Sequence, residues 1–132
     1  MTETLPIFDA ALGVTVEVRD TPPSGVVVEV AGEIDFRTVQ VLRDALAAAA
    51  GPGVLVVVDL AGVEFCDSSG LGALVGGLKR ARCAGGHLVL AGMPEILMRV
   101  FAHTGLAKAF DIYDTVEAAL AAAQSASGRF AR

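Results

Sequence analysis

Asp67-Ser68-Ser69-Gly70 combines residue types and spacing suited to chemistry on a bound or attached anion. Asp and Ser favour helix N-caps, and Leu71, Leu74, Val75 and Leu78 follow at helical spacing, so the tetrapeptide is expected to open a helix. Unpaired backbone N–H groups and the positive end of the helix dipole converge at such a point. A phosphate carried covalently by Ser68 or Ser69 would therefore be well tolerated. The structural alternative is a cap with no further role, and physics alone does not choose between the two hydroxyls.

Other chemistries fit less well. A catalytic reading needs Ser68 as nucleophile, Asp67 as orienter and His87 or His103 as base, yet there is no G-x-S-x-G elbow and adjacent Asp and Ser do not make a triad. Gly70-Leu71-Gly72 begins a dinucleotide fingerprint, but its third glycine would fall on Val75, and no P-loop lysine is present, so no cofactor is implied. Asp59, Glu64, Asp67 and the two histidines lack metal-ligand spacing. Cys66 and Cys83 are read as small buried hydrophobes, with a redox role for Cys66 open because a helix N-terminus can lower a thiol pKa.

The elements that hold the tetrapeptide are legible around it. Val54–Leu60 is an apolar, β-branched run broken only by Asp59, the signature of a strand covered on both faces, with a short loop to Asp67. Upstream, Val14, Val16 and Val18 alternate with polar residues, and Asp20–Gly25 reads as a turn into a second strand, Val26–Ala31, giving an antiparallel hairpin. Asp35 stands at an N-cap position before a helix expected over 36–50, closed by Gly51-Pro52-Gly53. The helix after Ser69 is expected to reach Ala84 and carries Gly72, Gly76 and Gly77, which implies tight packing on the sheet or a flat docking surface. A strand at His87–Ala91, a helix from Pro94 to Thr104, a strand at Phe110–Tyr113 and a last helix capped at Asp114 complete the chain. The order β-β-α-β-α-β-α-β-α predicts an α/β fold with a mixed, mostly parallel sheet of about five strands and about four helices.

Length and composition bound the function. The 132 residues suit one domain, with residues 1–12 a lead-in, 13–125 the domain and 126–132 a frayed tail. A net charge of −5, without a basic run, argues against nucleic acid and for protein partners. No apolar run approaches the roughly 20 residues of a membrane span, and the first residues do not resemble a signal peptide, so a cytoplasmic protein without membrane insertion is expected.

Strand, loop and D-S-S-G-L-G opening a helix, together with Gly32-Glu33-Ile34-Asp35 and Gly105-Leu106 through Asp114, resemble the STAS domain of bacterial anti-sigma factor antagonists, the SpoIIAA-like family. The resemblance implies the STAS fold and a partner switch. In that family the first serine of D-S-S-G is phosphorylated by the partner, and the matching residue is Ser68. It further implies partner contacts at Asp35, Asp67, Ser68, Ser69 and Gly70. The implied partners are an anti-sigma factor serine kinase with a histidine-kinase-like ATPase fold and a serine phosphatase. The chain would then be the kinase's substrate, not an enzyme. The other function of a STAS chain, a non-phosphorylated subunit of a lipid-transport ATPase complex, stays open at this point.

Overall fold

The computed structural model describes residues 4–9, 13–23 and 25–125. In chain order the elements are β1 (Thr4–Asp9), β2 (Val14–Thr21), β3 (Gly25–Ile34), α1 (Val39–Ala49), β4 (Leu55–Cys66), α2 (Ser68–Cys83), β5 (His87–Ala91), α3 (Glu95–Thr104), β6 (Ile112–Tyr113) and α4 (Val116–Ser125). The strands form one sheet in sequential order. β1, β2 and β3 pair antiparallel, whereas β3, β4, β5 and β6 run parallel. The expected mixed, mostly parallel α/β architecture with four helices is therefore present.

The valine runs follow from a sheet covered on both sides. Val28, Val56, Val58, Leu88 and Leu90 point into one core with Leu42 and Leu46 of α1, Leu74 and Leu78 of α2 and Phe101 of α3. The alternate residues Val27, Val57 and Val89 point the other way, against Val116 and Ala119 of α4. Because successive side chains in a strand face opposite sides, a strand packed on both faces cannot alternate with polar residues.

Several boundaries differ from the sequence reading. The lead-in contains a strand, β1, which pairs with β2 from Thr4↔Arg19 to Asp9↔Val14 and raises the strand count to six; residues 10–12 and 126–132 lie outside the described residues. Both central strands run further than expected, β3 to Ile34 and β4 to Cys66, because each supplies the other's ladder partner beyond Asp59. Register shifts between Glu29 and Ala31 and between Gly32 and Glu33 absorb the less regular sequence there. α1 begins at Val39 instead of Phe36, and α4 is capped by Thr115, whose Oγ1 accepts from the Ala118 N–H at 3.0 Å, in place of Asp114. β6 is only two residues, Ile112–Tyr113, preceded by a 3-10 turn at Leu106–Lys108 that the sequence did not announce.

The glycines of α2 divide into two kinds. A Cβ on Gly77 would stand 2.8 Å from Leu46 Cδ1 and 3.3 Å from Leu88 Cδ1, so Gly77 lets α2 lie close against α1 and β5. Gly72 and Gly76 have nothing within 4 Å of such a Cβ. Tight packing, the favoured explanation for Gly76 from sequence, is thus corrected. Gly76→Ala is expected to stabilise the fold by up to about 1 kcal/mol, since only helix propensity changes. Urea unfolding checks this; a destabilised variant would contradict the open geometry.

Candidate functional site

The polar knuckle sits where β4 passes into α2. Asp67 takes the N-cap position with extended backbone, φ −91° and ψ −172°. Its Oδ1 accepts from the Ser69 N–H at 2.8 Å and the Gly70 N–H at 3.3 Å. The Asp67 N–H in turn donates to the Ile34 carbonyl at 3.0 Å, tying the start of α2 to the end of β3. Ser68 is the first residue of the helix and is exposed, whereas Ser69 is half-buried. This difference in accessibility was not legible in the sequence. Gly70 is buried, and a Cβ there would run into Cys66 Sγ and lie 2.8 Å from Ile34 Cγ2, so Gly70 seats the helix end against the two strands.

A second knuckle lies beside the first, at the end of β3. Asp35 Oδ1 accepts from the N–H groups of Arg37 (2.9 Å) and Thr38 (3.2 Å), and Oδ2 pairs with Arg37 Nη2 at 3.1 Å. Asp35 therefore caps the turn that leads into α1, while Thr38 is the residue at the helix boundary and makes no side-chain cap. Partial desolvation raises the Asp35 pKa, but the Arg37 guanidinium and the two N–H donors outweigh it and hold the carboxyl below its ordinary value. A depressed acid pKa means that these contacts stabilise the fold above the unfolded pKa of about 3.9 and are lost as pH falls through the folded value. Asp35→Asn keeps capping capacity and should flatten that acid limb, a change read by unfolding midpoints between about pH 2 and pH 5.

Thr38 is a site residue that sequence reasoning missed. It is completely buried, and its Oγ1 accepts from the Asp35 N–H (2.9 Å) and donates to the Glu33 carbonyl (2.9 Å). The only signal was a threonine three residues after Asp35. Gly32 of the same stretch adopts φ +97° with the Gly13 carbonyl where a Cβ would be, so no other residue suits that position. Thr38→Val is expected to cost about 1 to 3 kcal/mol by stranding buried backbone groups. Parent-like stability in urea would show that the turn does not depend on this hydroxyl.

The remaining candidates are placed away from chemistry. Burial, then the neighbouring Asp67 charge, pushes the Cys66 thiol up to about 11, the opposite of a reactive thiolate. His87 Nε2 pairs with Asp111 Oδ2 at 3.1 Å and lies in register with Leu55, at the start of β4. At about 3.3 Å per residue, the strand from Leu55 to Cys66 puts His87 on the order of 30 Å from Ser68. His103 is exposed in the last turn of α3. Among the described residues no group of His, Cys, Asp and Glu could hold a metal ion, and no helix is long and apolar enough to cross a membrane.

Residues 14–119 match the family model of the STAS domain. The chain belongs to the STAS domain family. Within it, the chain falls among the SpoIIAA-like anti-sigma factor antagonists. It is 37% identical over 101 residues to the anti-sigma-B factor antagonist of Bacillus subtilis, covering 76% of this chain and 92% of that one. Among solved structures, an anti-sigma factor antagonist from Mycobacterium paratuberculosis is 32% identical with a TM-score of 0.75, covering 84% and 94% of the two chains. The Bacillus cell fate determinant SpoIIAA in its phosphorylated form shares the fold, with a TM-score of 0.62 at 22% identity and coverage of 80% and 96%. In this STAS domain both knuckles occupy the carboxyl ends of parallel strands, the end where α/β sheets usually present their sites.

Proposed function

We propose that the chain is an anti-sigma factor antagonist whose binding is switched by phosphorylation of Ser68. The unphosphorylated form binds an anti-sigma factor that is also a serine kinase with a histidine-kinase-like ATPase fold, and the bound sigma factor is released. The Ser68 hydroxyl then attacks the γ-phosphorus of ATP: the Oγ–P bond forms, the bond to ADP breaks, and the hydroxyl proton is lost. The phosphorylated antagonist dissociates. A serine phosphatase returns it to the active form by hydrolysis, giving inorganic phosphate. All of this takes place in the cytoplasm, without nucleic acid or membrane insertion.

The observation that carries the reading is the exposed Ser68 hydroxyl at the first position of α2, beside a half-buried Ser69. Asp67 already engages the N–H groups of Ser69 and Gly70, so a phosphate on Ser68 is not neutralised by that cap. It adds about −1.5 to −2 charge to a surface that already carries Asp67 and Asp35. Attraction to the helix end, worth about 0.3 to 1 kcal/mol, is compatible with a folded modified chain while its outward face becomes more negative and more strongly hydrated. Asp35, Asp67 and Ser69 frame the surface that the kinase reads, and Gly70 contributes from beneath by seating the helix. The relatives' names lend no support to a transport subunit. Titration calorimetry with a purified anti-sigma kinase tests the reading: unphosphorylated chain should bind and ATP-treated chain should not. Equal affinity of the two forms would overturn it.

A further inference from the structure

We propose that Asp59 is a positioning residue for Ser68: its side chain pins the bulge from which the end of β4, and with it the start of α2, takes its course. This rests on the Ser68 reading above and carries it into the sheet. β5 ends at Ala91, in register with Asp59, so beyond that point β4 is paired on one side only, with β3. Both polar knuckles are borne by this extension. Where β3 takes five steps, from Glu29 to Ile34, β4 takes seven, from Asp59 to Cys66. β4 therefore holds two extra residues, one at each register shift. In strict alternation Gly62 and Glu64 would face the core together with Leu60. With the bulges Val63 does so instead, Cys66 packs beside it, and Glu64 stays exposed.

The first bulge sets Leu60 and Ala61 against Val30 alone. Asp59 Oδ1 accepts from the Ala61 N–H at 3.1 Å, a local contact that holds the chain in the bulged course. Gly92, with φ +67°, passes so close that a Cβ there would stand 3.0 Å from the same oxygen, which leaves the carboxylate little room to turn away. From the bulge the ladder runs to Cys66, the Asp67 N–H bonds the Ile34 carbonyl at 3.0 Å, and Ser68 follows directly. The carboxylate does not serve the ladder itself. Glu17, Glu29 and Asp59 lie opposite one another on β2, β3 and β4, and like charges so placed weaken strand pairing. Burial first, then the Asp59 charge, raises the Glu29 pKa. Removing the Asp59 charge relieves that repulsion and offsets the lost hydrogen bond, so substitution here separates positioning from stability.

Initial rates of Ser68 phosphorylation by a purified anti-sigma kinase and ATP, over a range of antagonist concentrations, compare the parent with Asp59→Ala and Asp59→Asn. Asp59→Ala should lose on the order of tenfold in kcat/KM, the larger share in kcat, because a displaced hydroxyl attacks less well. Asp59→Asn should keep the parent's rates, since its carbonyl oxygen accepts from the same N–H, and it should melt no lower than the parent. A second arm needs no kinase: the Asp67 amide should exchange with solvent about fivefold faster in Asp59→Ala, while the amides of β5 hold their protection. Parent kcat in Asp59→Ala, equal losses in Asp59→Asn, or unchanged exchange at Asp67 each overturn the positioning role and leave the Ser68 switch standing. A parent that takes up no phosphate overturns both.

Discussion

Ser68→Ala is expected to take up no phosphate from the anti-sigma kinase and to hold that kinase in the presence of ATP, when the parent lets go. Nothing in the fold depends on the hydroxyl of this exposed residue: the cap of α2 is made by Asp67. The variant should therefore melt with the parent while its regulation is lost. Ser68→Asp should bind weakly, although less completely excluded than the phosphorylated chain, because aspartate brings about one charge against about −1.5 to −2. Ser69→Ala should still be phosphorylated, since the half-buried Ser69 contributes its backbone N–H to the cap and that group survives the change. Calorimetric affinity with and without ATP reads all three; release of Ser68→Ala by ATP would place the switch elsewhere.

The second large effect lies beneath the surface. Gly70→Val puts side-chain atoms into space held by Cys66 Sγ and Ile34, both fixed in the paired ends of β4 and β3. Neither neighbour is the loose end of a flexible chain, so the helix start must lift. Overpacking of this kind costs about 1 to 3 kcal/mol. The displaced helix end also moves Ser68, so phosphorylation should slow in proportion to the loss of stability. Urea unfolding and initial phosphorylation rates measure the two consequences. A variant as stable as the parent would mean that α2 is not seated through Gly70.

Much of the fold was legible because its signals are local. The uninterrupted valines of β4 report a strand covered on both faces, and Gly105, with φ +78°, closes α3 where the sequence placed the end. What escaped depends on pairing between distant segments. Residues 61–66 read as a loop, since alanine and glycine interrupt the valines, yet they extend β4 because β3 continues alongside. β1 has a weak period and exists through its ladder with β2.

The site divides in the same way. Asp67 and Asp35 announced themselves as caps by residue type; Asp67 caps α2, whereas Asp35 caps the turn ahead of α1, whose boundary residue is Thr38. Thr38 did not, because its value lies in being buried between two backbone groups, which no spacing reveals. Cys66 was read as a small hydrophobe with a redox role left open, and burial together with the Asp67 charge, which raise its thiol pKa, speak against that alternative. Gly76 and Gly77 are neighbours of the same type with opposite surroundings, open space and Leu46, and only the packing of α1 on α2 tells them apart.

The central claim, that Ser68 is the switch, is tested most directly by tandem mass spectrometry of the chain after incubation with its anti-sigma kinase and ATP. The account predicts a single phosphate, on Ser68, in the fraction that no longer binds the kinase. Phosphate on Ser69 alone, or a released fraction with no phosphate, would contradict it.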